Sequence, residues 1–400
     1  MDETNPEPTG PDLARRADLL LGAPLGRDYL SAFVDDWLED TLFAALGLGD
    51  VPGTATVSVE DDGPGSTPRS RTLHRRKHRE WCDVPAAEAG AVLHEAVARR
   101  GWSGLGELTE AALMERLSEV SNLFGFGGGD TARWGLTGLA AEELRPVAEA
   151  LAASPGAGWW WDPVDRTDQR QLVWGKPGRR KGAGGGLAGV EKAMRRDMAR
   201  ERAAHKKGRR GRPRPGERNL GATWWSVPDF AENTWTTGTR GGLPALELGH
   251  FIDTFTPFEE STATVGSLRI GEHARVAEIR GPRDWSELVT RFPRDVSGTH
   301  DGEWRDWGDV DGPWYLPDWE ALAGHYDGVH VTVGGYLSSC GLAQPVHDGY
   351  TMLAGWVPDA TVWVRDVATG HRLLGLWRGD PQDCGEWEEH LAGWDPYPGG

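Results

Sequence analysis

Between residues 175 and 218 the chain carries a stretch that cannot build a hydrophobic core, and that stretch divides the rest. "GKPGRRKGAGGG" (175–186) offers one alanine and otherwise glycine, proline and basic residues. "LAGVEKAMRRDMARERAAHKK" (187–207) has helix-forming residues but few apolar anchors, so a solvated helix or a coil is expected there. Glu191 is placed to support Arg195 at i,i+4. "KKGRRGRPRPGER" (206–218) follows, and its prolines stop any helix. The sequence therefore predicts a basic flexible linker over 175–218, a mainly helical domain over 13–174 and a Trp-rich α+β domain over 219–400. "MDETNPEPTGPD" (1–12) reads as an acidic, disordered tail.

Charge sharpens this division. The formal net charge is −18. The 175–218 segment holds 16 basic and 4 acidic residues, so the remainder carries −30. A body of that sign repels nucleic acid, and any polyanion binding must run through the basic segment. The three cysteines, Cys82, Cys340 and Cys384, have no spacing that suggests a disulfide framework. The N-terminus is not a signal peptide, and no apolar run approaches the ~20 residues of a membrane span. The expectation is a cytoplasmic protein with no membrane partner.

Periodicity places the elements. Tyr29, Phe33 and Trp37 recur at four-residue spacing and predict a helix over 28–46. Helices are also expected over 86–100, 108–124 (with Thr109 as a cap) and 139–153, giving a small bundle. After Leu220 the texture becomes β-branched. Strands are expected over 261–270, 274–281, 328–338, 350–356, 360–367 and 371–377, the last ones as a meander and the sheet mainly antiparallel. Two helices interrupt them, one starting at Asp284 with Glu287 as a capping box and one starting at Asp318.

Four segments have chemical potential. Seven of the thirteen residues in 206–218 are Lys or Arg, and Arg209, Arg210, Gly211, Arg212, Pro213 and Arg214 resemble the core of an AT-hook. That resemblance implies arginines entering a narrow A·T minor groove, with flanking cations on phosphates. The competing reading is a charged linker. In "LHRRKHREWC" (73–82), His74, His78 and Cys82 would share one face of a helix, with a zinc site as one reading and an exposed basic segment as the other. No residue is assigned as a metal ligand. In "WWSVPDFAENTWTTGTR" (224–240), Trp225, Ser226 and Arg240 suit a flat ligand with a phosphate tail, or simply a core and its turns. In "YDGVHVTVGGY" (326–336), Asp327 ends a helix and His330 lies on the next strand, as a satisfied side chain or a catalytic one. ATP-binding, zinc-protease, thiol-redox and esterase motifs are absent.

Two family resemblances follow from quoted segments. "WWSVP", "RVAEIRGPRDWSELVTRFP", "PDWEALAGHYDGVHVTVGGYL" and "LAGWVPDATVWV" resemble uncharacterised Trp-rich actinobacterial proteins, which brings no activity. The order of elements in the C-terminal half is similar to ADP-ribosyltransferase-like domains. This resemblance implies NAD as cofactor, Trp225 as a stacking surface, Ser226 and Arg240 as ligand contacts, and one of Glu247, Glu278 or Asp359 as the acid. The late Glu-x-Glu pair of such domains has no counterpart before a strand. The leading expectation is a non-enzymatic DNA-associated or interaction protein, with A·T-rich DNA or a protein as partner. The NAD-using transferase is the alternative.

Overall fold

The computed structural model describes residues 10–33, 57–60, 72–77, 80–85, 108–124, 142–174, 186–210, 224–249, 262–308, 310–378 and 395–396. The chain is α+β, with helices prominent in its N-terminal part and sheets in its C-terminal part. It divides into two compact units. One comprises 1–116 and 126–159, the other 117–125 and 160–400. Among the described residues, no helix is long and apolar enough to cross a membrane.

In the first unit, α1 (Gly10–Gly22) buries Ala17, Leu20 and Leu21. Helix α2 (Pro24–Ser31) opens on a proline, whose missing N–H costs nothing in a first turn. It buries Tyr29, whose hydroxyl donates to the Leu113 carbonyl at 2.8 Å. Strands β1 (Val57–Glu60), β2 (Thr72–Lys77) and β3 (Glu80–Pro85) form an antiparallel sheet. That sheet is not expected from the sequence, where 73–82 reads as a helical zinc site or as an exposed basic segment. The register sets His74 opposite Asp83 and Arg75 opposite Cys82, so His74 and Cys82 do not share a helical face, and His78 lies outside the described residues. The basic run has no apolar stripe at helical period, and nothing in it favours a helix over a hairpin.

Helix α3 (Glu110–Phe124) starts where expected, with the Thr109 hydroxyl accepting from the Ala112 N–H. The division between units falls within it. Helix α4 (Arg145–Ala152) lies inside the expected 139–153 range. The expected helix over 86–100 and most of that over 28–46 lie outside the described residues.

The second unit begins earlier than the change of sequence texture suggested. β4 (Gln169–Trp174) pairs with β6 (Thr262–Ile270), so residues N-terminal to the basic segment belong to the C-terminal fold. Helix α5 (Val190–Arg210) occupies much of the expected linker. Next come β5 (Trp235–Thr236), a short α6 (Leu246–Gly249) and β7 (Val276–Ile279). Helix α7 (Pro282–Arg291), β8 (Pro293–Asp295), α8 (Ser297–Gly308), β9 (Tyr315–Pro317) and α9 (Trp319–Leu322) follow. β10 (Gly328–Val331), α10 (Val333–Ser339), β11 (Gln344–Val346) and β12 (Gly349–Thr351) lead to β13 (Ala360–Trp363), β14 (Ala368–Arg378) and β15 (Asp395–Pro396).

Two four-stranded sheets organise the unit, one in the order β5-β13-β10-β7 and one in the order β15-β14-β6-β4. All pairings are antiparallel except β10 with β7. The last strands are not a meander, because β13 joins the first sheet and β14 the second. The sheets meet where Arg170 and Thr237 exchange two backbone hydrogen bonds. Tryptophan fills the interior: Trp160, Trp285, Trp304, Trp314, Trp319, Trp356 and Trp363 are all fully buried. Several place the indole N–H on a partner, as buried tryptophan generally does: Trp285 on Thr351, Trp304 on the Trp224 carbonyl and Trp363 on Thr236.

Local chemistry explains the helix starts. The Asp318 carboxylate accepts from the Glu320 and Ala321 N–H groups, as its position predicted. Asp284 is not the cap of α7. Gly281 holds that position, and Asp284 reaches back from the first turn to the Arg280 N–H at 2.8 Å. The expected strand over 328–338 is a strand only to Val331. Thr332 then caps α10 by accepting from the Gly335 N–H at 2.9 Å.

Candidate functional site

Helix α5 carries much of the basic segment that the sequence singles out, and its seat decides which of its charges are available. Nine of its 21 residues are Lys or Arg and three are acidic. Val190, Met194 and Met198 recur at i, i+4, i+8 and are buried, with Asp197 buried between them. This narrow stripe is enough to seat the helix, which is neither solvated all round nor a coil. Glycine helps at the last turns: a Cβ on Gly298 would lie 2.4 Å from the His205 carbonyl oxygen.

Ion pairs fix the middle of α5. Asp197 accepts from Arg196 at 3.0 Å and from Arg200 at 2.9 Å, and Arg200 also reaches Asp229 at 3.3 Å. Glu201 pairs with Arg294 at 2.6 Å. Burial pushes the Glu201 carboxyl up from its ordinary value, and Arg294 opposes that shift. Arg202 lies between Glu320 and Asp318, the latter at 3.6 Å. His205 Nδ1 accepts from the Gly298 N–H. Arg195 pairs with its own helix's Glu191, as the spacing predicted. Lys192, Lys206 and Lys207 are exposed and have no ion pair among the described residues. Arg209 and Arg210 are the last residues of the helix. Gly211, Arg212, Pro213 and Arg214 lie outside the described residues.

Trp225 and Ser226 sit against the 354–356 segment, while Arg240 is held in a separate turn. The Ser226 hydroxyl donates to the Ala354 carbonyl and accepts from the Ala354 N–H and the Trp356 indole N–H, at 2.8–3.0 Å. One donor and two acceptor positions are thereby used, which is the full capacity of a hydroxyl. Ser226 has none left for a ligand. The Trp225 ring lies against Gly355, where a Cβ would approach to 1.9 Å. The Trp225 carbonyl accepts from His300 Nε2 at 3.1 Å. Burial holds His300 down to about 4, so that ring stays neutral near pH 7. Arg240 sits elsewhere, in the turn Arg240–Leu243 beyond β5. Ser226→Ala is expected to cost about 1–3 kcal/mol, because it orphans two buried donors. Urea unfolding checks this, and a loss below about 0.5 kcal/mol would return Ser226 to the list of free hydroxyls.

The acids named with the NAD reading come together in part. Register places Glu278 on β7, His330 on β10, Thr361 on β13 and Thr236 on β5 in one row across the first sheet. His330 is 1% exposed. Its Nδ1 lies 2.6 Å from Glu278 Oε2, and its Nε2 lies 3.1 Å from Asp359 Oδ1. Carboxylates only accept, so both ring nitrogens carry protons and the ring is an imidazolium. Burial lowers its pKa, but the hydrogen bonds and charges of Asp359 and Glu278 outweigh burial and raise it to about 9.

The remaining carboxylate oxygens accept from the backbone, Glu278 from Val164 at 3.2 Å and Asp359 from Gly238 at 2.8 Å. Asp359 takes a left-handed φ of 59° to make its contacts, a conformation Asp adopts more readily than most residues. The group is a charged staple joining five segments. With both nitrogens protonated and donating to carboxylates, His330 has no free lone pair to act as a base, so the geometry is that of a structural cross-link. Glu247 is buried on α6. Asp327 is likewise structural. Its carboxylate accepts from the Arg275 N–H at 2.8 Å and from the Arg275 side chain at 3.0 Å.

A cavity of about 250 Å³ opens beside the start of α8, lined by Asp295, Ser297, Asp301, Arg305, Asp311 and Pro313. Three carboxylates against one guanidinium make it a poor seat for a phosphate tail. Comparison with protein-family models, curated proteins and solved structures returns no match.

Proposed function

We propose that this is a non-enzymatic, nucleic-acid-associated protein that binds DNA through the C-terminal end of α5 and the basic segment that continues it. One observation carries the reading. Lys206 and Lys207 are exposed and have no described ion pair, on a helix whose opposite side is anchored by Val190, Met194 and Met198. A folded support thus leads directly into Arg209, Arg210, Gly211, Arg212, Pro213 and Arg214. In a chain of net charge −18 this is where the positive charge is concentrated. Phosphate contacts supply the affinity and the arginines flanking Gly211 supply preference for a narrow A·T minor groove.

Fluorescence anisotropy of A·T-rich and G·C-rich duplexes across a salt series tests this. Wild type is expected to prefer the A·T-rich duplex. Arg210→Ala/Arg212→Ala is expected to lose that preference, and the slope of log K against log salt is expected to fall by about 2. Absence of salt-dependent binding at about 50 mM salt would remove the reading. Binding without A·T preference would leave a phosphate-directed protein and remove the groove contact.

A further inference from the structure

Four arginines stand at the seat of α5, yet that seat is not electropositive. Arg196, Arg200, Arg202 and Arg294 face Asp197, Glu201, Asp229, Asp318 and Glu320, and Asp295 lies 4.0 Å from His205. Four arginines against five carboxylates leave the local balance negative. Arg200 meets Asp197 and Asp229, and Arg202 meets Asp318 and Glu320. Asp229 and Glu320 lie on elements remote in sequence, 29 residues from Arg200 in one case and 118 from Arg202 in the other. Asp229, Asp318 and Glu320 belong to the fold onto which α5 docks, whereas Asp197 and Glu201 are on the helix itself.

We propose that Asp229, Asp318 and Glu320 act as a built-in substitute for nucleic-acid phosphates, occupying Arg200 and Arg202 and confining the DNA footprint to Lys206 and beyond. This rests on the function proposed above and adds its regulation. The geometry suits a contact that can be exchanged. Arg200 and Asp229 are 60% and 72% exposed, so water screens the pair and its worth is small. Arg202 is about half exposed while Glu320 and Asp318 are more covered, which leaves one side of its guanidinium open. A phosphodiester carries the same sign and, though tetrahedral, presents two non-bridging oxygens to which arginine can donate in pairs, as it does to a carboxylate. The masked state binds a short stretch of backbone. Release of Arg202, and of the exposed side of Arg200 that Asp197 does not hold, lengthens the stretch by up to two contacts.

The test uses the full chain and a duplex of about 20 base pairs. In wild type, Arg200→Ala/Arg202→Ala is expected to change affinity less than twofold, whereas Lys206→Ala/Lys207→Ala weakens it at least tenfold. Asp229→Asn/Glu320→Gln is expected to tighten binding about tenfold at ~100 mM salt and to steepen the salt slope by about 2. Asp318 is left intact because it caps α9. Adding Arg200→Ala/Arg202→Ala to that variant removes the gain.

Glu272→Gln/Asp366→Asn makes the same charge change at exposed sites with no described contact to α5. It is expected to give less than a threefold gain. If it matches Asp229→Asn/Glu320→Gln, the effect is one of net charge and the proposal is wrong. If Arg200→Ala/Arg202→Ala weakens wild type as much as the lysine pair does, the arginines are already on DNA and the masking idea fails, while the DNA reading stands. If no form binds duplex, the DNA reading fails and the masking idea falls with it. Hydrogen exchange along α5 reports whether each variant keeps the helix seated, and the wild-type arginine arm requires no change to the acids.

Discussion

His330→Ala is expected to lower the stability of the second unit by about 3–5 kcal/mol, the usual cost of breaking a buried charged set by removing one partner. The mutation leaves Glu278 and Asp359 facing each other across the gap, each with one backbone donor and no cation. It also cuts the only described link from β10 to the turn before β13 made by side chains of opposite charge. Urea unfolding of wild type and mutant measures the loss, and a difference within about 0.5 kcal/mol would show that the staple carries no stability. The same group predicts a pH dependence. The folded-state pKa of His330 is raised to about 9 from 6.5, so the folded chain holds this proton more tightly than the unfolded chain. The associated stability is complete below about pH 6.5 and is lost as pH rises through about 9, at up to about 1.4 kcal/mol per unit. Wild type is expected to weaken across that window, and His330→Ala is expected to lack the His330 share of that change. A wild-type profile flat from pH 6.5 to 9.5 would contradict the imidazolium.

This staple shows where the sequence stopped being informative. His330 was legible as a strand histidine, and Glu278 and Asp359 were legible as acids in a β-rich region. Their meeting was not, because it depends on partners 52 and 29 residues away. Period-2 patterning gives the faces of a strand but not its neighbour or register. Local signals fared better. Thr109 and Asp318 cap the helices they were expected to cap, since a cap depends only on residues within one turn. Helix α5 was expected to be solvated because its anchors are few. Three apolar residues at helical spacing seat it, the rest of the contact being ion pairs whose partners lie far away in sequence. Ser226 was legible as a hydroxyl beside tryptophans, but its three bonds go to residues 128–130 positions away. Helix α10 was masked by its own glycines, which read as strand punctuation.

Those glycines carry the second large prediction. Gly335→Ala is expected to cost more than about 3 kcal/mol, against what helix propensity says. Alanine in the middle of a helix is favoured over glycine by about 1 kcal/mol, so propensity alone predicts a gain. The packing predicts the reverse. A Cβ at Gly335 would sit 1.9 Å from the Ile279 carbonyl oxygen, and one at Gly334 would sit 2.2 Å from the Trp161 ring. The obstacle at Gly335 is backbone at the end of β7, not the tip of a flexible side chain, so either α10 or the sheet must move. The Thr332 cap moves with it, since Thr332 Oγ1 bonds both the Gly335 N–H and the Ile279 carbonyl. Gly370→Ala is the control, because nothing lies within 4 Å of its added Cβ; it is expected to stay within about 0.5 kcal/mol of wild type. Thermal and urea unfolding of the two variants separate the explanations. A stabilised Gly335→Ala would mean that α10 does not press on β7 this closely, and the seat of His330 on the neighbouring strand would then need to be redrawn. A loss confined to Gly335→Ala fixes the close approach of helix and sheet as the reason this segment, so strand-like in sequence, folds as a helix.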